Sequence, residues 1–488
     1  MGRHTKTVLQ QDGLDRRANG YYATPRFVAD YIAQTLVSIN PSGSQVLDPC
    51  IGQGEMTEPF YDLGKDVEGF DVTDFDVKHK LNFHQKDFLE YVMQSSNEPL
   101  FFKHHNADYI VANPPYNCHE SDYIRRNKTR LTQYFGKSAG LNMYSMFIKA
   151  MLYIAKPGCL LGLVTLDSFL TSHWHAPLRD FILKHCHIHR LHLCPSDLFR
   201  DQKADVRTCI IVLEKQGVGK LETYVSNRPT SRDDFKTLLK RQDFNSVKAT
   251  DLVLNHAEDN NEFVIGAPRE VLDIFKNRRL SSVFPCITGI STGNDKKYLS
   301  KQKKHGQTIP FYKNPGTRRF FMEPDAYLPD NFLETARAVP NFMVRNRKYL
   351  FSGGIACSSM GVSFGAAYLP DGATVGVNPN IIVDGEDRWW LLAYLNSSLC
   401  TYIVRGVMLR TNMITAGYVA RIPVPPISEN TKASLAEVAR SAYEKKKGGG
   451  DTRLSVLQID ALINKDLGFE KQTAFEIQEF ADDVIRKT

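Results

Sequence analysis

Between residues 24 and 215 the sequence changes its hydrophobic period repeatedly, and few folds are compatible with that. TPRFVADYIAQTLVSI, residues 24–39, reads as an amphipathic helix: Thr24 can cap, Pro25 can take the first helical position, and Val28, Tyr31, Ile32 and Leu36 fall on one face. QVLD then reads as a short strand, EMTEPFYDL as a helix, DVEGFDV as a strand and ADYIVA, 107–112, as another. A helix at 141–155, the apolar strand CLLGLVTL, a helix near 176–184 and the strands IHRLHL and VRTCIIVLE continue the series. Strands alternating with helices predict an α/β chain with a doubly wound, mostly parallel sheet. Its ligand is expected at the carboxyl ends of the strands.

Past residue 216 the pattern breaks. Residues 217–262 are highly charged, lack a sustained apolar period and read as a boundary region; beyond them Gly and Pro punctuate short strand-like pieces until helices resume near 387 and 430. We therefore expect two domains, 1–245 and 246–488, with KKKGGG at 445–450 as a surface turn between terminal helices. The net charge of +7 is uneven, because residues 301–350 hold ten Lys and Arg against four Asp and Glu. Aromatic and amide residues interleave with them in FYKNPGTRRFF and NFMVRNRKYLF, as on a nucleic-acid surface, although a solvated basic face has the same composition.

Nine cysteines without a CxxC pair argue against a disulfide framework and a zinc ribbon, which suits a reducing cytoplasm. No apolar run approaches the roughly 18 residues that cross a bilayer, and the N-terminus lacks a signal-peptide core, so no membrane association is expected. HCHIHRLHLC, 185–194, is rich in metal-binding residue types, but His187, His189 and His192 alternate with apolar residues and form no spaced ligand pairs; no metal is expected.

VLDPCIGQG, 46–54, puts an acid and two glycines directly after the first strand. Glycine permits a tight turn and close approach of a ligand, and the helix start behind it offers free N–H groups. Asp71 ends the next strand, 23 residues after Asp48, where a carboxylate can accept from ribose hydroxyls. After Gly52 and Gly54 the third glycine of a phosphate-binding fingerprint is missing, since position 57 is Thr, and no P-loop lysine follows. A nucleoside without phosphates is favoured, and S-adenosylmethionine is the obvious one.

The strand ADYIVA runs into NPPYN, which can continue neither strand nor helix. Taken alone this is a strand-ending turn; behind the glycine loop and Asp71 it carries chemistry. A nucleobase amino group is a poor nucleophile because its lone pair is delocalised into the ring. Two fixed acceptors favour the pyramidal amine, and the Asn113 side-chain oxygen and the Pro114 carbonyl are suitable ones, braced by Pro115. Tyr116 offers an aromatic face for the base.

NPPY after DPCIGQG resembles the amino-methyltransferases, and the order of parts resembles the gamma class of adenine-N6 DNA methyltransferases, the TaqI-methyltransferase type of restriction-modification systems. The resemblance implies a Rossmann-like S-adenosylmethionine-dependent methyltransferase domain followed by a mixed α+β target-recognition domain. GYYATP, 20–25, resembles the motif covering the cofactor, which implies roles for Tyr22 and Thr24 beside those of Asp48, Pro49, Cys50, Gly52, Gly54, Asp71 and Val72. KDFL, 86–89, resembles the motif in which Asp87 meets the cofactor's adenine amine and Phe88 packs on its ring; LNMYSMFIKAM implies Phe147 at the cofactor. DLFRDQKADVRTCIIVLEK resembles the motif whose Phe199 stacks on the target base opposite Tyr116, a sandwich that requires the base to be swung out of the duplex. GISTGNDK, LLAYLNSSL and ARIPVPPI resemble, more loosely, target-recognition domains of this type, while turn chemistry accounts equally well for GISTGND. The chain departs from the family at Cys50, where Ala is more usual, and at Asp48, which is often Glu. Pro49-Cys50 lies in the cofactor loop, where a small buried thiol explains it better than the nucleophile of a cytosine-C5 methyltransferase.

The expected activity is sequence-specific methylation of the adenine 6-amino group in duplex DNA. Cytosine-N4 methylation uses the same amine chemistry and is the nearest alternative, although Ser is more frequent there at position 113. A protein-glutamine or RNA-guanine methyltransferase leaves the basic C-terminal half unexplained. The methyltransferase or recognition subunit of a larger restriction complex is a further alternative. Only about 20 residues precede GYYATP and no acidic-acidic-lysine nuclease pattern stands out elsewhere, so a fused nuclease is not expected; the resemblance implies a separately encoded cognate restriction endonuclease as genetic partner, and one recognition domain beside one catalytic domain points to a monomer. Arg125, Arg126, Lys128 and Arg130 lack enough apolar neighbours to pack down, so 117–140 is expected to be a mobile segment closing on DNA phosphates.

Overall fold

The structure is a computed structural model and describes residues 21–94, 104–116, 122–136, 142–202, 206–216, 222–254, 256, 258–361, 363–408 and 413–484. The chain divides into two compact units, one of residues 1–255 and 260–266 and one of 256–259 and 267–488.

The first unit is built on a nine-stranded sheet. Helix α1 (Arg26–Ile39) precedes β1 (Gln45–Asp48), α2 (Glu58–Asp62), β2 (Asp66–Asp71), β3 (Asn82–Gln85), α3 (Phe88–Gln94) and β4 (Tyr109–Ala112). Then come α4 (Asp122–Phe135), α5 (Met143–Ile154), β5 (Leu160–Leu166), α6 (Ala176–His185), β6 (Cys186–Leu193), β7 (Thr208–Lys215), β8 (Thr223–Ser226), α7 (Arg232–Arg241) and β9 (Asn245–Val247). The strand order is β3-β2-β1-β4-β5-β7-β6-β8-β9. Strands β3 to β5 run parallel, while β7 inserts antiparallel between β5 and β6. This is the expected doubly wound sheet, and a β7 hairpinned between β5 and β6 is the signature of the Rossmann-like methyltransferase fold.

The α1 stripe read from the sequence is buried, with Val28, Ile32 and Leu36 fully covered. An ideal Cβ on Gly162 of β5 would lie 2.4 Å from Ile32, so this glycine is what lets the helix lie close on the sheet. Pro25, rather than Thr24, occupies the N-cap position, and the Thr24 hydroxyl accepts from Asn113 instead.

Two expectations require correction. Residues 122–135 are a helix, α4, anchored by buried Ile124, Leu131 and Phe135; the flanking 117–121 and 137–141 lie outside the described residues. Residues 222–254 are not a boundary region: β8, α7 and β9 extend the first unit's sheet, and Phe263 and Ile265 join its core. The compact units therefore divide at Gly266/Ala267, beyond the 245/246 boundary expected from charge.

The second unit is mixed α+β. A four-stranded antiparallel sheet orders Cys286–Ile287, Asn380–Ile382, Gly354–Cys357 and Ala366–Leu369; a three-stranded sheet orders Ala326–Leu328, Ile309–Tyr312 and Thr374–Val375. Helices at Gly385–Leu395, Glu429–Lys447, Arg453–Leu467 and Lys471–Asp482 follow. Asp259 is buried between Arg279, at 2.7 Å, and Arg421, at 3.4 Å. No helix among the described residues is long and apolar enough to cross a membrane.

Candidate active site

Strands β1 and β4 are parallel neighbours, with Val46 opposite Tyr109 and Leu47 opposite Ile110. From β1 the chain order runs outward to β2 and β3 on one side, and from β4 to β5 on the other. The loops after β1 and β4 thus leave from the same edge at the point where strand order reverses, where an open α/β sheet opens its ligand crevice.

The loop after β1 is held by carboxylates. Cys50 N–H donates to Asp48 Oδ1 at 3.0 Å, and Gly52 N–H and Thr73 N–H donate to the two oxygens of Asp71, each at 3.0 Å. Gly52 has φ +54, and a Cβ on it would lie 2.4 Å from the Tyr21 ring. Gly54, with φ +86, closes the turn through its N–H to Ile51 at 2.8 Å. Burial pushes the Asp48 carboxyl up to about 8, and it also raises the Asp71 carboxyl and the Cys50 thiol above their ordinary values.

Beside this loop lies a cavity of about 210 Å³. Pro49, Cys50, Asp71, Val72, Asp87, Phe88 and Phe147 line it, with Asn113 and Pro115 at its edge. The Phe88 and Phe147 rings stack at 5.9 Å, and Asp87 caps α3 through the N–H groups of Leu89 and Glu90. Tyr21, Thr73, Phe75, Lys86, Tyr123 and Met143 line it as well. Tyr21 falls within GYYATP but was not singled out there, and Phe75 and Tyr123 reach the cavity from loop and helix positions that no spacing rule exposes. The donor set fits an adenosyl group: apolar rings for a base, and acidic oxygens at the end of β2 for ribose hydroxyls.

Five residues expected at the cofactor do not line this cavity. Asp48, Gly52 and Gly54 shape its loop from behind. Tyr22 and Thr24 turn instead to Asn113, whose Nδ2 donates to Tyr22 O at 2.6 Å and to Thr24 Oγ1 at 3.1 Å. Those two bonds fix the amide, leaving Oδ1 to accept from the Tyr116 hydroxyl at 2.5 Å. Pro114 is buried beside it. The Tyr22 ring stacks on Tyr116 at 5.4 Å and meets the buried Phe199 ring at 5.9 Å and 54°, so it touches both rings expected to flank a base.

Two positioning residues escaped sequence reasoning. The Gln202 amide pairs with Ala23 in both directions, accepting from its N–H at 2.8 Å and donating to its carbonyl at 2.7 Å, which ties the Phe199 loop to the segment carrying Tyr22 and Thr24. Arg228 is buried against Asp167, at the end of β5, and donates to the Cys194 carbonyl at the end of β6. Neither shows a periodicity or motif, since each bridges segments far apart in the chain. His192, with its pKa lowered to about 3 by burial, bonds Tyr31 and Ser226 within the fold. No group of three metal-ligating side chains occurs among the described residues.

The sheet order and the crevice at its switch point define a Rossmann-like methyltransferase fold. Residues 57–199 match the model of the Eco57I restriction-modification methylase family. The Type II methyltransferase M.BanIII of Aneurinibacillus aneurinilyticus is 26% identical over 204 residues, a match spanning 36% of this chain and 35% of that protein. Two solved structures share the fold over most of the chain. One is a nuclease-deletion mutant of the Type ISP restriction-modification enzyme LlaGI in complex with a DNA substrate mimic: TM-score 0.55, 12% identity, covering 87% of this chain and 54% of that one. The other is a DrdV-DNA complex: TM-score 0.53, 11% identity, covering 88% and 58%. The chain thus spans about a third of the curated relative and somewhat over half of these structures. The resemblance to restriction-modification methyltransferases read from the sequence is borne out by these matches.

Proposed function

We propose that the chain transfers a methyl group from S-adenosylmethionine to the 6-amino group of an adenine swung out of duplex DNA, as the modification methylase of a restriction-modification system. The observation that carries this reading is the convergence, at one switch point, of the Asn113–Tyr116 turn and the acidic, aromatic-walled cavity. S-adenosylmethionine would supply the electrophilic methyl: the N–C bond forms as the S–C bond breaks, S-adenosylhomocysteine leaves, and the methylated nitrogen sheds one proton to water. Asp71 would accept from its ribose, Asp87 from its adenine amine, and Phe88 and Phe147 would pack on the ring. The Asn113 Oδ1 and the Pro114 carbonyl accept from the two N–H bonds of the target amine, which favours the tetrahedral nitrogen over the planar one. The geometry of Asn113 is set in advance, because its Nδ2 is already anchored on Tyr22 and Thr24. Tyr116 and Phe199 would supply faces for the base once the Tyr22 ring, which packs against both, moves aside.

The second unit, with its basic excess at 301–350, would grip phosphates and read the sequence. Double-stranded DNA in the cytoplasm is the substrate, a monomer the working unit, and a separately encoded endonuclease the partner in defence. Single-molecule sequencing of DNA from cells expressing the chain, beside an Asn113→Ala control, reports base, position and motif together. Modified adenines at one motif, lost in the control, are expected. Modified cytosine amines would move the chain to the cytosine-N4 class, and equal modification with the control would remove the catalytic assignment.

A further inference from the structure

We propose that the second unit holds a nucleotide pocket of its own, which takes a nucleobase through an edge that carries an N–H donor beside an acceptor. Two stretches that the catalytic reading leaves unused, GISTGND and FYKN, meet there. A cavity of about 510 Å³ opens between residues 290–295, 311–314, Ser359 and 376–378. That volume lies within the roughly 300–1,000 Å³ of small-ligand sites.

Its distinguishing group is Asn378. The side chain is buried, 3% exposed, and its Nδ2 donates to Asn380 Oδ1 at 2.9 Å, while Asn380 Nδ2 donates to the Asn378 main-chain oxygen at 2.7 Å. The second bond fixes the Asn380 amide and, through it, the Asn378 amide. The Asn378 Oδ1 is thereby left as a buried acceptor with no donor. Several other buried polar atoms among the described residues share this condition, but Asn378 Oδ1 is the one that borders this cavity. Gly376 stands over it: a Cβ there would sit 3.4 Å from both Asn378 Oδ1 and the Phe311 ring, so a side chain at 376 would cover the acceptor.

The remaining wall supplies the complement. Asn314 Oδ1 accepts from the N–H groups of Gly316 and Ser359, both at 3.0 Å, which leaves its Nδ2 as the donor it has to offer. Lys313 reaches over the Phe311 ring at 5.9 Å and pairs with Asp295, which also receives the Thr292 hydroxyl. Gly293, with φ +68, holds that turn against the Asn341 carbonyl, 2.7 Å from where a Cβ would be. Asp295 and Asn378 oppose an anion at the floor. What fits is a flat ring offering an N–H donor beside an acceptor on one edge, as each of the nucleobases does: the amino edges of adenine and cytosine, N1–H beside O6 in guanine and N3–H beside O4 in thymine.

The base belongs either to a nucleotide of the DNA or to a free nucleotide, and only the first source rests on the proposed activity. The test uses the full chain saturated with S-adenosylhomocysteine and titrated calorimetrically with dAMP, dCMP, dGMP and dTMP, beside ribose 5-phosphate as a ligand without a base. Expected is binding of at least one of the four nucleotides, at least tenfold tighter than ribose 5-phosphate. Asn378→Leu and Val377→Trp should each weaken it tenfold or more with S-adenosylhomocysteine affinity unchanged; Val377 is 59% exposed, so its replacement blocks the mouth without touching the buried amides. Sequencing DNA from cells expressing the variants separates the sources: a broadened or altered set of methylated sites identifies a DNA base, and an unchanged set a free nucleotide. Absence of nucleotide binding, or equal binding by the wild type and both variants, overturns the pocket. Methylation that survives Asn113→Ala overturns the catalytic reading instead and leaves the titration to decide the pocket.

Discussion

The Asn113 amide is oriented by its nitrogen, which is spent on Tyr22 and Thr24, so its oxygen has one direction left. On the proposed function, replacing Asn113 with Ala removes an acceptor aimed at the target amine, and by analogy with loss of one such group it should lower single-turnover methyl transfer at least about 100-fold. S-adenosylmethionine affinity, measured by calorimetry, should change little. Asp48 makes a different prediction. An unfolded aspartate titrates near 3.8, whereas burial raises folded Asp48 to about 8. Between those values the folded chain holds a proton that the unfolded chain has lost, so stability declines as pH rises through that window. Asp48→Asn keeps the acceptor for Cys50 N–H and removes the titration. Calorimetric Tm from pH 5 to 8 should fall less steeply in the variant than in the wild type.

At the level of elements, the strands whose ends form the candidate site were legible because those ends are marked. DPCIGQG closes β1, Asp71 closes β2 and NPPY closes β4, and each mark is local. Elements whose few apolar residues lie on an otherwise charged face were not. In α4 only Ile124, Leu131 and Phe135 are buried, and in α7 only Phe235 and Leu239, so charge read as loop. Long-range clamps were invisible for a related reason: Gln202 and Arg228 are polar side chains whose partners lie 179 and 61 residues away. Arg228→Met strands the Asp167 carboxylate in the interior, which costs about 3–5 kcal/mol for a buried pair. Urea unfolding of the whole chain should show that loss, and Asp167→Asn in the same background should recover part of it.

The whole molecule shows where composition misleads about boundaries. Charge suggested a division at 245/246, yet Leu252, Phe263 and Ile265 complete the first unit's core and Glu262 is buried there. A fragment ending at Gly266 should therefore be soluble and melt cooperatively, whereas one ending at 245 should melt at a lower temperature and bind a dye specific for exposed apolar surface. The chain also crosses between units more than once, because 256–259 belongs to the second unit while 260–266 returns to the first. Asp259 travels with Arg279 and Arg421. A second half exchanged at 266/267 leaves Asp259 behind and parts it from Arg279 and Arg421, the two arginines of its own unit. Modular inheritance in such chains is thus constrained by an acid that lies upstream of the junction where the swap would be made.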